Sequence, residues 1–417
     1  MSKADRTTGG RWRRGITAAS SLALLFGSTT VLVSQSAAFA DANELYGWGL
    51  NVVGQLGNGG TTNSVTPGKV QLPAGVVATA AATGGDHSLA IGSDGNLYAW
   101  GYNSNGQLGN GTAANSSTPV VVQLPAGVTA TSISAGATHS LAVGSDGNVY
   151  AWGYNGYGQL GDGTLSYSAL PLKVGLPAGT VATAVAAGAN YSMALTSTGL
   201  VYGWGDGTAG VLCDGKFTSP VKNPQQATVS GIAAIAAGGF HSLFLTTAGA
   251  LFACGYNAFG ELGNGATTNA ATRVRVSMPT GVNTVSMAAG EYHSLAIGSD
   301  GRTYAWGDNS NGQLGNGTTT NSSTPLAVSV PAGVTFSSLA AGAVHSLAIG
   351  SDGNAYGWGY NALGELGNGT TADAHTPVQV GISPVAKPPV AIVSGNTSDH
   401  SMSIAPPTPA STTTTLA

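Results

Sequence analysis

The chain has 417 residues, of which only 7% are charged while 42% are hydrophobic and 65 are glycine. That charge content lies far below the roughly 25% of ordinary soluble domains, yet the apolar fraction and small net charge exclude a disordered polyelectrolyte. A formal net charge of −4 leaves few Lys and Arg to cluster, so a phosphate-tracking surface, and with it nucleic acid as a ligand, is not expected.

The first predicted element is a targeting segment. Arg11, Arg13 and Arg14 precede a weakly apolar run over 15–33, and Ala38-Phe39-Ala40 offers a small-x-small cleavage site. Residues 1–40 therefore read as a secretory signal, which places the mature chain outside the cell or in its envelope. An uncleaved anchor is the alternative, because the run approaches the length of a membrane span. Cleavage would remove Lys3, Arg6, Arg11, Arg13, Arg14 and Asp5, leaving 8 basic and 16 acidic residues and a net charge of −8. No later segment is long and apolar enough to cross a bilayer.

Residues 41–404 repeat one phrase. Trp48, Trp100, Trp152 and Trp204 are spaced by 52; Cys254 holds the next place after 50, and Trp306 and Trp358 resume the step. The phrase is plain in Leu97-Tyr98-Ala99-Trp100-Gly101-Tyr102-Asn103 and its continuation Gly106-Gln107-Leu108-Gly109, and seven copies begin at Leu45, Leu97, Val149, Val201, Leu251, Thr303 and Ala355. Within each unit a run such as Leu89–Ile91 meets a turn at Asp94-Gly95 and a second run, Leu97–Trp100, which predicts a β-hairpin. A further strand is predicted upstream of each hairpin, as over 128–135 before Gly136, and segments such as 118–122 supply another. Nothing in the repeats has helical period or length. Several short strands per unit, repeated seven times, predict an all-β, seven-bladed propeller.

The ends of the chain predict how the ring closes. A last hairpin phrase, Asp399-His400-Ser401-Met402-Ser403-Ile404, lacks its own Tyr-x-Trp-Gly strand, whereas Glu44–Trp48 lacks a preceding partner. Pairing them would complete the seventh blade from both termini and remove open edges. The remaining segment, 405–417, is rich in Pro and Thr and reads as a disordered tail or wall spacer.

The repeated Tyr-x-Trp-Gly, Asn-x-x-Gly-Gln-Leu-Gly and Ala-Gly-x-x-His-Ser-Leu-Ala-Ile phrases resemble the repeats of the regulator of chromosome condensation family over about 44–404. The resemblance implies a seven-bladed propeller whose termini share a blade. It also implies, as an alternative function, guanine nucleotide exchange on a GTPase. The exchange factors carry a wedge inserted in one blade, however, and the units here hold 50 or 52 residues without one. Photoreceptor relatives need tryptophans two places before the hairpin histidine, where this chain has Gly85, Ala137, Gly239, Glu291 and Ala343.

His87, His139, His241, His293, His345 and His400 share one repeat position. Equivalent places in different blades are spread round a ring, so the imidazoles cannot converge on one metal ion. Each is instead expected to anchor a turn by bonding backbone in its own blade. The Asp-Gly turns lack the further carboxylates of a calcium loop, and Gly205–Gly210 matches a dinucleotide fingerprint without its βαβ context. No nucleophile–base pair stands outside the repeat, so neither catalysis nor a cofactor is expected. Cys213 and Cys254 both break the pattern in neighbouring units; a disulfide is one reading and two independent buried small residues the other.

Function is then expected where repeats disagree. The places before and after the fixed phrases hold Phe240, Glu291, Tyr292, Tyr102, Tyr154, Tyr256 and Tyr360, and Tyr191 replaces a histidine. These eight are the candidate partner-binding residues, since aromatics dominate binding hot spots. The expected function is a secreted or cell-surface scaffold that binds a protein through one propeller face. A wall-associated glycan-binding or structural role is a further alternative.

Overall fold

The computed structural model describes residues 43–381 and 389–405. The predicted signal, most of the predicted tail and a short segment before the last blade lie outside the described residues. Seven four-stranded antiparallel sheets form the seven blades. Blade I shows the plan, from the axis outward: Ala78–Thr83, His87–Gly92, Leu97–Gly101 and Ser116–Val121. Blades II to VI follow along the chain, starting at Ala130, Ala182, Ile232, Thr284 and Phe336.

Blade VII is shared between the termini, as the sequence predicts. Its inner strands are Ala391–Val393 and His400–Ala405, and its outer strands are Glu44–Gly49 and Ser64–Lys69. The ladder between the two ends of the chain runs in register from Glu44 opposite Ala405 to Gly49 opposite His400.

The core lies between blades. Leu89, Leu108, Ile133, Ala142 and Trp152, from blades I and II, form one of seven such clusters. All six repeat tryptophans are fully buried. Their indoles explain a fixed glycine: a Cβ on Gly57 would stand 2.7 Å from Trp100 Nε1 of the next blade, and Gly57 also has φ +65°. The same indole N–H donates to the Gln55 carbonyl at 2.8 Å.

A polar ring runs through all seven joints. Ser88 Oγ–H donates to that same Gln55 carbonyl at 2.9 Å, and His400 Nε2 of the preceding blade lies 2.7 Å from Ser88 Oγ. With the hydroxyl proton committed to the carbonyl, the imidazole must donate through Nε2–H. His87, His139, His241, His293 and His345 meet Ser140, Ser192, Ser294, Ser346 and Ser401 in the same way, at 2.8–2.9 Å. The expectation that each histidine bonds backbone of its own blade is thus corrected: the partner is the serine of the next blade. Burial pushes all six imidazoles down to about 3, so they are neutral.

Candidate functional site

The turns between first and second strands, and the loops after the third, open on one face. The two are tied by backbone: Tyr102 N–H donates to Asp86 O at 2.8 Å, and Tyr256 N–H to Phe240 O at 2.8 Å. Round the channel mouth the residue before the histidine place is, in blade order, Asp86, Thr138, Asn190, Phe240, Tyr292, Val344 and Asp399. Fold satisfies itself at the fixed positions; these seven are free to differ.

The channel mouth itself is closed. Six residues, Ser394–Asp399, replace the three that join these strands in blade I, Gly84–Asp86. The longer turn carries Asn396 across the axis to the opposite blades, where its amide donates to Ala187 O at 2.7 Å and Ala237 O at 2.5 Å. Asn396 Oδ1 is buried without a partner. Sequence reasoning missed this plug, although its signal was present: His345 to His400 is a step of 55 where the other steps between these repeat places are 50 or 52.

Three of the eight predicted residues come together on blades IV and V. Phe240 stacks on Tyr292 with centroids 5.3 Å apart and planes 21° from parallel. Tyr256 meets the Tyr292 ring edge-on at 5.8 Å. Phe259, which the sequence reading did not single out, completes the cluster 5.7 Å from Tyr292 and 6.2 Å from Tyr256. Phe240, Tyr256 and Tyr292 are half-buried and Phe259 is exposed. Rings in such edge and offset arrangements stabilise one another beyond simple burial.

The other predicted residues are distributed differently. Glu291 borders the cluster, and its carboxyl is pushed up to about 7 by burial and by Asp399. Tyr154 packs edge-on against Tyr157 on blade II at 6.3 Å. Tyr102 and Tyr360 stand on blades I and VI, outside the four-ring cluster. Tyr191 is a correction: it is fully buried and cannot present its ring to a partner. It occupies the histidine place of blade III, donates to the His241 carbonyl at 2.5 Å and lies 3.0 Å from Ser242 Oγ, so it closes the seventh joint of the polar ring.

Carboxylates line the same face. In the Asn-x-x-Gly-Gln loop, Gln55 Oε1 accepts a loop amide while its Nε2 donates to Asp86 at 3.1 Å. Blades IV and VI have Glu261 and Glu365 at that place. Their Oε2 atoms accept the amides of Phe259 and Leu363, and their Oε1 atoms are buried without a partner. Burial raises both carboxyls to about 7. The Tyr292 hydroxyl is pushed up to about 12 by burial, then by Glu291, Tyr256 and Glu261. Asp86 and Asp399 are also raised, Asp86 by burial and Asp399 by burial and the charge of Asp86.

Cys213 and Cys254 form a disulfide, with Cα atoms 5.8 Å apart. It links the loop of blade III to the third strand of blade IV.

A profile described as an RCC1-like domain matches residues 44–402. The chain is 31% identical over 348 residues to the ultraviolet-B receptor UVR8 of Arabidopsis thaliana, across 83% of this chain and 68% of the receptor. It is 31% identical over 345 residues to the E3 ubiquitin-protein ligase HERC2 of Homo sapiens, across 80% of this chain but only 7% of the ligase. Among solved structures, Prp20p from Saccharomyces cerevisiae, described with its binding to Gsp1p and histones, superposes with a TM-score of 0.78 at 25% identity, over 89% of this chain and 93% of that one. Human WBSCR16 shares the fold, with a TM-score of 0.76 at 22% identity over 88% and 99% of the two chains. Seven matching blades, a blade shared by the termini and a profile spanning almost the whole ring make this chain a member of the RCC1-like domain family.

Proposed function

We propose that this chain is an exported binding module that docks a protein on the face carrying Phe240, Tyr256, Phe259 and Tyr292. The four-ring cluster is the observation that carries the reading. At the place just before the histidine position, blades I to III have Asp86, Thr138 and Asn190, so nothing in the fold demands Phe240 or Tyr292. Aromatic residues left partly exposed and packed on one another supply rigid contact area at little entropic cost, which is the character of an interface anchor. Prp20p, of like fold, binds proteins.

Export is supported by the Arg-rich start, the apolar run and Ala38-Phe39-Ala40. The Cys213–Cys254 disulfide agrees with it, since such bonds persist in oxidising compartments. N-terminal sequencing of the protein from culture medium should begin at Asp41.

The docking test compares capture from medium and envelope by the wild type and by Phe240→Asn/Tyr292→Thr, residues copied from the equivalent places in blades III and II. A saturable protein captured only by the wild type supports the reading. Equal capture by both removes the face assignment, and enrichment of glycan alone favours a wall-associated role.

A further inference from the structure

The outermost strand of each blade has a free edge, and in six blades the sequence spoils that edge for pairing. The fourth residue of the strand is proline: Pro67, Pro119, Pro171, Pro224, Pro325 and Pro377. Blade IV has Arg273 there, in the strand Ala270–Arg275. Just past this strand, Val276 N–H donates inward to Leu251 O at 3.0 Å, while Val274 and Arg275 lie opposite Ala253 and Phe252. Successive N–H groups along a strand point to opposite edges, so those of Arg273 and Arg275 point away from the blade. Proline at the fourth place removes one of these two donors, a common way to keep an edge from pairing with a foreign chain. Of the seven blades, blade IV keeps both.

The open edge is also basic. Arg273 and Arg275 are two of the three arginines after residue 40. Both are exposed, and among the described residues the ion pair is Lys69–Glu44, which involves neither. Arg273 lies over Phe252, its Cζ 5.2 Å from the ring centroid. Residues two apart share one face of a strand, so the two guanidinium groups stand side by side, with half-buried Val274 turned to the other face. Like charges directly opposite destabilise a strand pair and opposite charges stabilise it, so this edge repels its own copy and suits an acidic strand. We infer that the edge of blade IV receives an extended acidic segment of another protein as a fifth strand, with Asp or Glu at alternate places beside Arg273 and Arg275. The site lies on the rim of the ring and does not depend on the docking face of Phe240 and Tyr292.

The test is selection of displayed short random peptides on the full chain, with counter-selection on Arg273→Pro. That variant installs the residue of the other six blades, behind a Thr272 that matches Thr66, Thr118, Thr324 and Thr376, so it should fold as the wild type does. Selected peptides should carry Asp or Glu at alternate places. Their affinity should fall about tenfold or more for Arg273→Pro, which removes an N–H and a charge, and for Arg273→Gln with Arg275→Gln, which removes charge alone. N-methylation of the peptide amides that face the edge should abolish binding, because main-chain hydrogen bonds carry strand addition. Phe240→Asn/Tyr292→Thr should bind these peptides as the wild type does, so failure of the edge and failure of the docking face are read separately. Peptides that bind Arg273→Pro unchanged, or that tolerate N-methylation, would overturn the added strand. A selection that yields no acidic peptide would overturn it too.

Discussion

Cys213 and Cys254 occupy the two places that the other six joints give to a glycine and to the tryptophan lying on it. Gly57 with Trp100, Gly109 with Trp152, Gly161 with Trp204, Gly263 with Trp306, Gly315 with Trp358 and Gly367 with Trp48 are the six. At the seventh joint both partners change together, and a covalent bond between blades III and IV replaces an indole packed on a bare backbone. Cys213 keeps the backbone of the glycine it replaces, with φ 57°, where a side chain is strained.

Reduction, or Cys213→Ser with Cys254→Ser, should therefore cost about 2–4 kcal/mol. Cys213→Gly with Cys254→Trp should recover most of that loss, because the indole N–H regains the Val211 carbonyl as acceptor. Cys254→Trp alone should be worse than either, since the Cys213 side chain fills the indole's place. Melting curves with and without reductant check all three, and only the wild type should respond to reductant.

Tyr191→Phe should destabilise the fold by roughly 1–3 kcal/mol, because the His241 carbonyl and Ser242 lose their buried partner. Partner capture should not change. Tyr191→His should restore much of the loss by recreating the histidine–serine link of the other joints.

The axial plug gives a third prediction. Asn396→Ala leaves the Ala187 and Ala237 carbonyls without their donor at the channel mouth, at a cost of about 1–3 kcal/mol. Amide exchange of the plug, 394–399, should quicken in this variant before that of the ladder between Glu44–Gly49 and His400–Ala405, since the ladder does not rely on Asn396.

Acid and base act with opposite signs on this fold. The six ring histidines have pKa values near 3 in the folded state against an ordinary 6.5, so the unfolded chain takes up protons first. Their contribution is complete above pH 6.5 and drains away as pH falls toward 3. Glu261, Glu291 and Glu365 are raised from 4.5 to about 7, so their burial opposes folding above pH 7 and ceases to do so below 4.5. Six histidines against three glutamates predict a melting temperature that falls on acidification below pH 6.5. Glu261→Gln with Glu365→Gln should stabilise the protein at pH 8, by roughly 1–3 kcal/mol for each substitution, and the gain should vanish by pH 4.5.

The fold was legible because every copy of the repeat states the same solution. The shared blade followed from two incomplete phrases at the ends of the chain. What a single repeat cannot show is what its residues touch in the next one. Gly57 and Trp100 lie 43 residues apart, and the histidine's partner belongs to the following unit, although the recurrent His-Ser pair was a clue. Tyr191 was misread because a departure from the repeat was taken as a surface signal; its position was already committed to the interior. Phe259 and Glu261 sit inside a loop phrase whose fixed Asn and Gly drew the reading away from its variable letters. Phe240, Tyr256 and Tyr292 were found from variation alone, but their convergence needed the ring to place blades IV and V side by side.

The docking face is tested most directly by titrating a captured protein partner against the wild type and Phe240→Asn/Tyr292→Thr, with melting temperatures measured in parallel. The account predicts at least a hundredfold loss of affinity, about 2.7 kcal/mol or more, in a variant that still melts in one cooperative transition. Equal affinity for both proteins would contradict it.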